Sequence, residues 1–331
     1  MRRALLAITF MLLVAGLTGC GGDESGGTDG QKRSRPATFD AALREAQSVR
    51  PGDFPKPAGR SLQQIAGSVP AVNLGLATSV YTAGTNRLAF GIIDERRSFV
   101  YGKTAIYLAR GPDDEAQGPF PAPADPLVVD PAFRSRNGAE ESDSIAAIYE
   151  ADVKMPETGG WSVLALTKAG GKTYGAAASV KVAESSPIPA AGDGAPRVQT
   201  ETRASAGGDL EKIETRVPPD DMHEESFADV VGRKPVALLF ATPALCESRV
   251  CGPVVDIAAQ LQKTYGERVE FIHQEVYVDN DLKKGLRPPL RAFGLRTEPW
   301  LFTIDARGRV AARLEGSFGK NAFERAIKAA L

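Results

Sequence analysis

Cys246 and Cys251 enclose the tetrapeptide Glu247-Ser248-Arg249-Val250 and are two of only three cysteines in the 331-residue chain. Two thiols this close in sequence can form a structural cross-link, or they can cycle between dithiol and disulfide. The elements around them must place them for that chemistry. Ahead lies the apolar run Pro235-Val236-Ala237-Leu238-Leu239-Phe240. Behind lies the amphipathic run Pro253-Val254-Val255-Asp256-Ile257-Ala258-Ala259-Gln260-Leu261. The pattern predicts a buried strand, a short loop and a helix that starts near the cysteines. A helix N-terminus favours a thiolate, because its unpaired N–H groups and its dipole attract negative charge. Within one regular helix, residues five apart lie about 8–9 Å apart between Cα atoms, beyond the roughly 7 Å limit for a disulfide. A bridge therefore requires Cys246 in the loop ahead of the helix. Thr242-Pro243-Ala244-Leu245 makes that position natural, with Ser248 a candidate N-cap. Arg249 would lower a thiol pKa and Glu247 would raise it, but both read first as solvated charges.

The third cysteine belongs to a different context. Arg2-Arg3 is a short basic region, and residues 5–14 are apolar but too few to span a bilayer. Leu17-Thr18-Gly19-Cys20 follows and resembles a bacterial lipobox. The resemblance implies a signal peptide over residues 1–19, lipidation of the Cys20 thiol, and a protein anchored at the extracytoplasmic face of the cell membrane. The glycine-rich residues after Cys20 read as a flexible tether. With Cys20 lipidated, Cys246 and Cys251 remain as one pair in a compartment where disulfides persist.

Composition excludes several function classes. The chain has 40 basic and 41 acidic residues. Loss of Arg2 and Arg3 with the signal peptide leaves 38 basic residues against 41 acidic, and no basic patch suggests nucleic acid. His223 and His273 are the only histidines, which argues against a site built from several. Met222-His223 reads as a surface dipeptide and His273 as a hydrogen-bonded mid-strand residue. Glu140-Glu141 and Asp220-Asp221 read as solvated acidic pairs. Neither histidine has a nucleophile elbow and no phosphate-binding glycine loop occurs. No cofactor site and no metal ligand set is assigned.

The organisation is multidomain. Residues 20–69 read as tether and weakly structured segment, with helical signals near 39–46 and 62–66. Residues 70–184 carry short strand signals at 87–93, 104–109, 148–153, 161–166 and 177–182, punctuated by Gly, Pro, Asn and Asp, which predicts an all-β sandwich. The turn Met155-Pro156-Glu157-Thr158-Gly159-Gly160-Trp161 resembles that before a late strand of immunoglobulin-like periplasmic domains. The Pro-rich insert at 110–140 reads as an extended loop. Residues 185–219 read as a disordered linker, long enough to let the domains move apart.

Residues 220–331 alternate strand and helix. Strands are expected at 235–240, 269–276 and 299–304, then a turn at Asp305-Ala306-Arg307-Gly308, a strand at 310–314 and a helix from Asn321 to Ala330. This order, with the cysteine pair after the first strand, resembles the α/β thioredoxin-like fold. Pro253 in the helix after the cysteines and Glu298-Pro299 ahead of Trp300-Leu301-Phe302 strengthen the resemblance, which implies a cis proline at Pro299 bordering the sulfurs. It departs from the family in having four residues, not two, between the cysteines. The implied activity is thiol–disulfide exchange with exported proteins and an unknown redox partner. Cys246 would be the attacking thiolate, Cys251 the resolving one, and Pro299 would help hold a substrate backbone. Two alternatives stay open. One is a binding or assembly lipoprotein with a structural disulfide. The other is a thiol peroxidase, since some peroxiredoxins have the same cysteine spacing after a Thr-Pro dipeptide, although Thr242-Pro243 lies one residue too far from Cys246. Copper delivery is a weaker resemblance, because those thioredoxin-like proteins have three residues between their cysteines.

Overall fold

The computed structural model describes residues 37–136, 145–246 and 250–331. Cys20 with the whole anchor segment, Glu140-Glu141, and Glu247, Ser248 and Arg249 lie outside the described residues. The chain divides into two compact units, Met1–Arg35 and Pro36–Leu331, and every described residue belongs to the second.

Residues 73–183 form two facing sheets. One has the order β1-β3-β7-β6, built from Asn73–Leu76, Gly84–Ile93, Ala147–Met155 and Ala124–Pro126. The other has the order β2-β9-β8-β4-β5, built from Tyr81–Thr82, Lys172–Ala183, Gly159–Ala169, Lys103–Ala109 and Gln117–Pro121. All pairings are antiparallel except that of β2 with β9, which is parallel. Leu88, Phe90, Ile92, Ile106, Tyr149, Val153, Trp161, Val163 and Val180 fill the space between the sheets. The insert expected as one loop instead supplies β5 and β6. Both are edge strands, and an edge tolerates proline because its missing N–H would face no partner. Two helices precede the sandwich, α1 (Ala37–Gln47) and α2 (Leu62–Ala66). Leu62 and Ile65 pack under Tyr107, Leu164 and Leu166, so the segment expected to be weakly structured is docked.

The remaining residues form the mixed sheet β11-β10-β12-β13, from Glu270–Gln274, Val236–Phe240, Trp300–Ile304 and Val310–Glu315. β10 and β11 are parallel; β12 and β13 run antiparallel to their neighbours. Side chains alternate between the two faces of a strand. Ala237, Leu239 and Leu301 meet α4 (Cys251–Tyr265) and α6 (Lys320–Ala330) on one face. Val236, Leu238, Phe240, Phe302 and Ile304 meet α3 (Phe227–Val230) and α5 (Pro288–Ala292) on the other. Helices on both faces explain why β10 and β12 are apolar without alternation. The architecture is mixed α/β, with the order of elements implied by the thioredoxin resemblance. Asp305 closes the expected turn by accepting from the N–H groups of Arg307 and Arg309, each at 2.9 Å.

Residues 185–219 are not the disordered linker that their composition suggests. Their Pro and Gly keep most of them out of regular ladders, but their apolar side chains still find cover. Ile188 is buried among Phe293 and Phe302, while Ala206, Leu210 and Ile213 form a small cluster of their own. The Gly192 N–H donates to the Val310 carbonyl at 2.8 Å and the Ala195 N–H to Gly308 at 2.9 Å, so the strap runs along the β13 edge. Nor do the sandwich and the C-terminal sheet move apart. Leu127 and Val129, just beyond β6, enter the core of α4 and α6. Asp125 of β6 accepts from the Asn321 and Ala322 N–H groups at 3.0 and 2.7 Å, at the start of α6, whose own N-cap is Gly319. Arg87 of β3 donates to the carbonyls of Glu315 and Ser317 at 3.0 and 2.8 Å.

Candidate active site

Cys251 is the first residue of α4, and Cys246 lies in the loop between β10 and that helix. The two are joined by a disulfide, with Cα atoms 6.1 Å apart. Cys246 thus stands ahead of the helix, as bridging demands. Among the described residues the helix cap is Val250; the candidate Ser248 lies outside them. Pro253 sits in the first turn, where its missing N–H has no intrahelical partner to lose. Val254, Val255, Ile257, Ala258 and Leu261 bury the helix against the sheet and hold Cys251 in place. Cys251 has 0% exposure and Cys246 9%, so Cys246 is the less deeply buried of the two.

The peptide bond between Glu298 and Pro299 is cis. Pro299 is buried, and its carbonyl accepts from the Gly316 N–H at 2.8 Å. Glu298 approaches one of the sulfurs. Its Oε2 lies 3.5 Å from Cys251 Sγ and accepts from the Thr242 N–H at 2.9 Å. Burial pushes the Glu298 carboxyl up to about 8, and the nearby charge of Glu275 adds to the rise against the Thr242 hydrogen bond. At neutral pH Glu298 therefore holds a proton beside a sulfur. Sequence reasoning missed this residue. The only signal was an acidic residue at the edge of an apolar strand, just before the proline assigned to border the site.

A cleft of about 410 Å³ opens beside this group. Leu76, Ala77 and Thr78 of the sandwich line one side, and Val250, Thr297 and Glu298 line the other. Gly316 makes the contact possible. It has φ +68°, and a Cβ there would stand 1.7 Å from the Ala77 carbonyl oxygen.

No family model matches the chain, and no curated protein matches it. Solved structures do align with it. One is a candidate thiol:disulfide interchange protein DsbE from Chlorobium tepidum, at 20% identity and a TM-score of 0.31, covering 43% of this chain and 98% of its own. Another is a thiol:disulfide interchange protein of the thioredoxin family from Chlorobium tepidum TLS, at 23% identity and a TM-score of 0.29, covering 45% of this chain and 99% of its own. At such scores the fold rests on the strand order above.

Away from the disulfide, three sequence expectations are corrected together. Met222 and His223 are buried, not on the surface, and Asp220 is buried, not solvated. His223 and His273, the two histidines judged too few for a shared site, lie side by side with ring centroids 5.3 Å apart. His273 is hydrogen-bonded in mid-strand as expected. Its Nδ1 lies 2.9 Å from Asp220 Oδ2, and its Nε2 donates to the Ala241 carbonyl at 3.0 Å. Burial opposes its charge, but the Asp220 carboxylate outweighs burial and holds the imidazole well above its ordinary pKa.

Proposed function

We propose that this protein is a lipid-anchored, extracytoplasmic thiol–disulfide oxidoreductase acting through Cys246 and Cys251. The observation that carries the reading is the Glu298 carboxyl 3.5 Å from Cys251 Sγ, at a bridge whose other cysteine is the less buried. In the oxidising direction a substrate thiolate attacks Cys246 Sγ, and the Cys246–Cys251 bond breaks. Cys251 leaves as a thiolate and takes the proton of Glu298. A second substrate thiolate then attacks the substrate sulfur of the mixed disulfide and releases Cys246. The substrate dithiol loses two electrons and the cysteine pair gains them. In the reducing direction the Glu298 carboxylate accepts the Cys251 proton, so that Cys251 can attack the mixed disulfide. A buried acid matched to neutral pH serves both directions.

The sandwich is assigned an immunoglobulin-like topology, supported by its two sheet orders and the parallel β2–β9 pair. Its role would be to wall the cleft beside Glu298, so that an exported substrate is selected by contact with both layers. Anchorage through Cys20 belongs to the same proposal and rests on the lipobox resemblance alone.

One observation favours a structural cross-link instead. Both cysteines are buried. The midpoint potential of the pair decides, measured in graded thiol buffers with alkylation and mass readout. Reversible titration between roughly −120 and −270 mV supports exchange catalysis, and a pair still bridged below about −300 mV refutes it.

A further inference from the structure

Glu214, Asp220, His223 and His273 each offer one donor atom, and these four atoms all lie within 4.8 Å of one another. The four side chains are at most 1% exposed. His223 Nε2 lies 3.4 Å from Glu214 Oε2 and 3.4 Å from Asp220 Oδ1. His273 Nδ1 lies 2.9 Å from Asp220 Oδ2 and 3.8 Å from Glu214 Oε1. Donors around a tetrahedral ion with bonds of 2.0–2.1 Å stand about 3.3 Å apart, which the two His223 separations match; the His273 contacts are to the other oxygen of each carboxylate.

A second observation points to a ligand. Neither ring nitrogen of His223 makes a hydrogen bond, although the ring is buried. A buried polar group without a partner is costly, and an ion between the imidazole and the two carboxylates removes that cost. The other three side chains are already aimed. A carbonyl only accepts, so His273 Nε2 carries its hydrogen toward Ala241, and Nδ1, which faces Asp220, would bind an ion by releasing its own proton. Both oxygens of Glu214 accept from the Asp220 N–H, at 2.9 and 3.0 Å, and Asp220 Oδ1 accepts from the Met222 N–H at 2.9 Å.

We propose that these four residues bind a divalent first-row transition ion, zinc by preference. Two imidazoles and two carboxylates form a borderline nitrogen–oxygen set. Calcium and magnesium favour all-oxygen shells, and Cu(I) favours sulfur. Two carboxylates also neutralise a doubly charged ion where no water reaches. Four protein ligands make a closed, structural site rather than a catalytic one. Three come from residues 214–223, where the strap ends, and one from β11, so the ion would clip that segment onto the sheet that packs against α4. This site is independent of the redox reading.

The test uses the full chain without a histidine tag, as wild type and as the double variant Cys246→Ser/Cys251→Ser. Each is freed of metal by chelation, loaded with ZnCl2 or CoCl2, desalted, and assayed by elemental mass spectrometry and visible absorption. The proposal expects about one ion per chain in both proteins and the strong visible bands of four-coordinate Co2+. Zinc should also raise the thermal midpoint of both. His223→Gln and Glu214→Gln, each checked for folding by circular dichroism, should retain less than about a tenth of that metal. If either fails to fold, the double cysteine variant decides alone. Folded double variant that retains no stoichiometric ion and shows no Co2+ bands overturns the proposal, leaving a buried ion-pair cluster. So does metal that stays with a folded His223→Gln variant.

Discussion

Glu298→Gln removes one ionisation from the site and little else. The amide oxygen can still accept the Thr242 N–H that Oε2 accepts at 2.9 Å, and the side-chain volume is unchanged. In the folded protein the carboxyl titrates near 8, against an ordinary 4.5. The native state thus holds a proton that the unfolded chain has released. The stability Glu298 contributes is full below about pH 4.5, declines as pH rises, and is gone above about pH 8. A displacement of this size, at 1.36 kcal/mol per unit, sets a ceiling of about 5 kcal/mol; partial solvation brings the expected loss to about 2–5 kcal/mol. Asp125, pushed up to about 6 chiefly by burial, slopes the same way, so only the difference between the two proteins isolates Glu298. Urea unfolding of the disulfide form at a series of pH values measures it. Wild type should lose about 2–5 kcal/mol more than Glu298→Gln between the two limits. Parallel stability curves would refute the assignment of a protonated carboxyl beside Cys251. In thiol exchange, loss of the proton donor should slow reduction of the bridge by about 100-fold at neutral pH, with the deficit shrinking above pH 8 as wild type also loses its proton.

Three further substitutions test how the two layers are held. Asp125→Ala leaves the first-turn N–H groups of Asn321 and Ala322 without their acceptor and should cost about 1–3 kcal/mol in chemical denaturation. Gly316→Ala forces a Cβ to within 1.7 Å of the Ala77 oxygen at a left-handed φ; it should cost more than about 2 kcal/mol, and an unchanged thermal midpoint would contradict the packing of Ala77 on Gly316. Arg216 donates to Asp256 at 3.1 Å, both side chains being nearly dry, so Arg216→Ala leaves a buried carboxylate on α4 with its Ser135 hydrogen bonds but no counter-charge and should cost about 3–5 kcal/mol. Asp256→Asn in that background should restore part of the loss.

The five strands expected at 87–93, 104–109, 148–153, 161–166 and 177–182 all lie within observed strands, because each combines β-branched or aromatic residues with turn residues at its ends. β5 and β6 were not legible, since proline and glycine in Gln117–Pro121 and Ala124–Pro126 argue against a strand unless it lies at an edge. Edge position is a property of the assembled sheet. The strap at 185–219 failed for a related reason. Composition measures how poorly a segment orders alone, whereas Ile188 and Leu210 are ordered by surfaces made elsewhere in the chain.

Local pattern alone determined the strands β10 to β13, the helices α4 and α6 and the placing of Cys246 ahead of a helix, because hydrophobic period and chain geometry act over a few residues. The tertiary structure decided which polar groups meet. Glu298 reaches Cys251 from 47 positions away, and Asp220 reaches His273 from 53. Asp220 reads singly as a solvated residue and His273 as a satisfied one. They become chemistry only when packing removes their water and leaves them facing one another, and no local spacing encodes that.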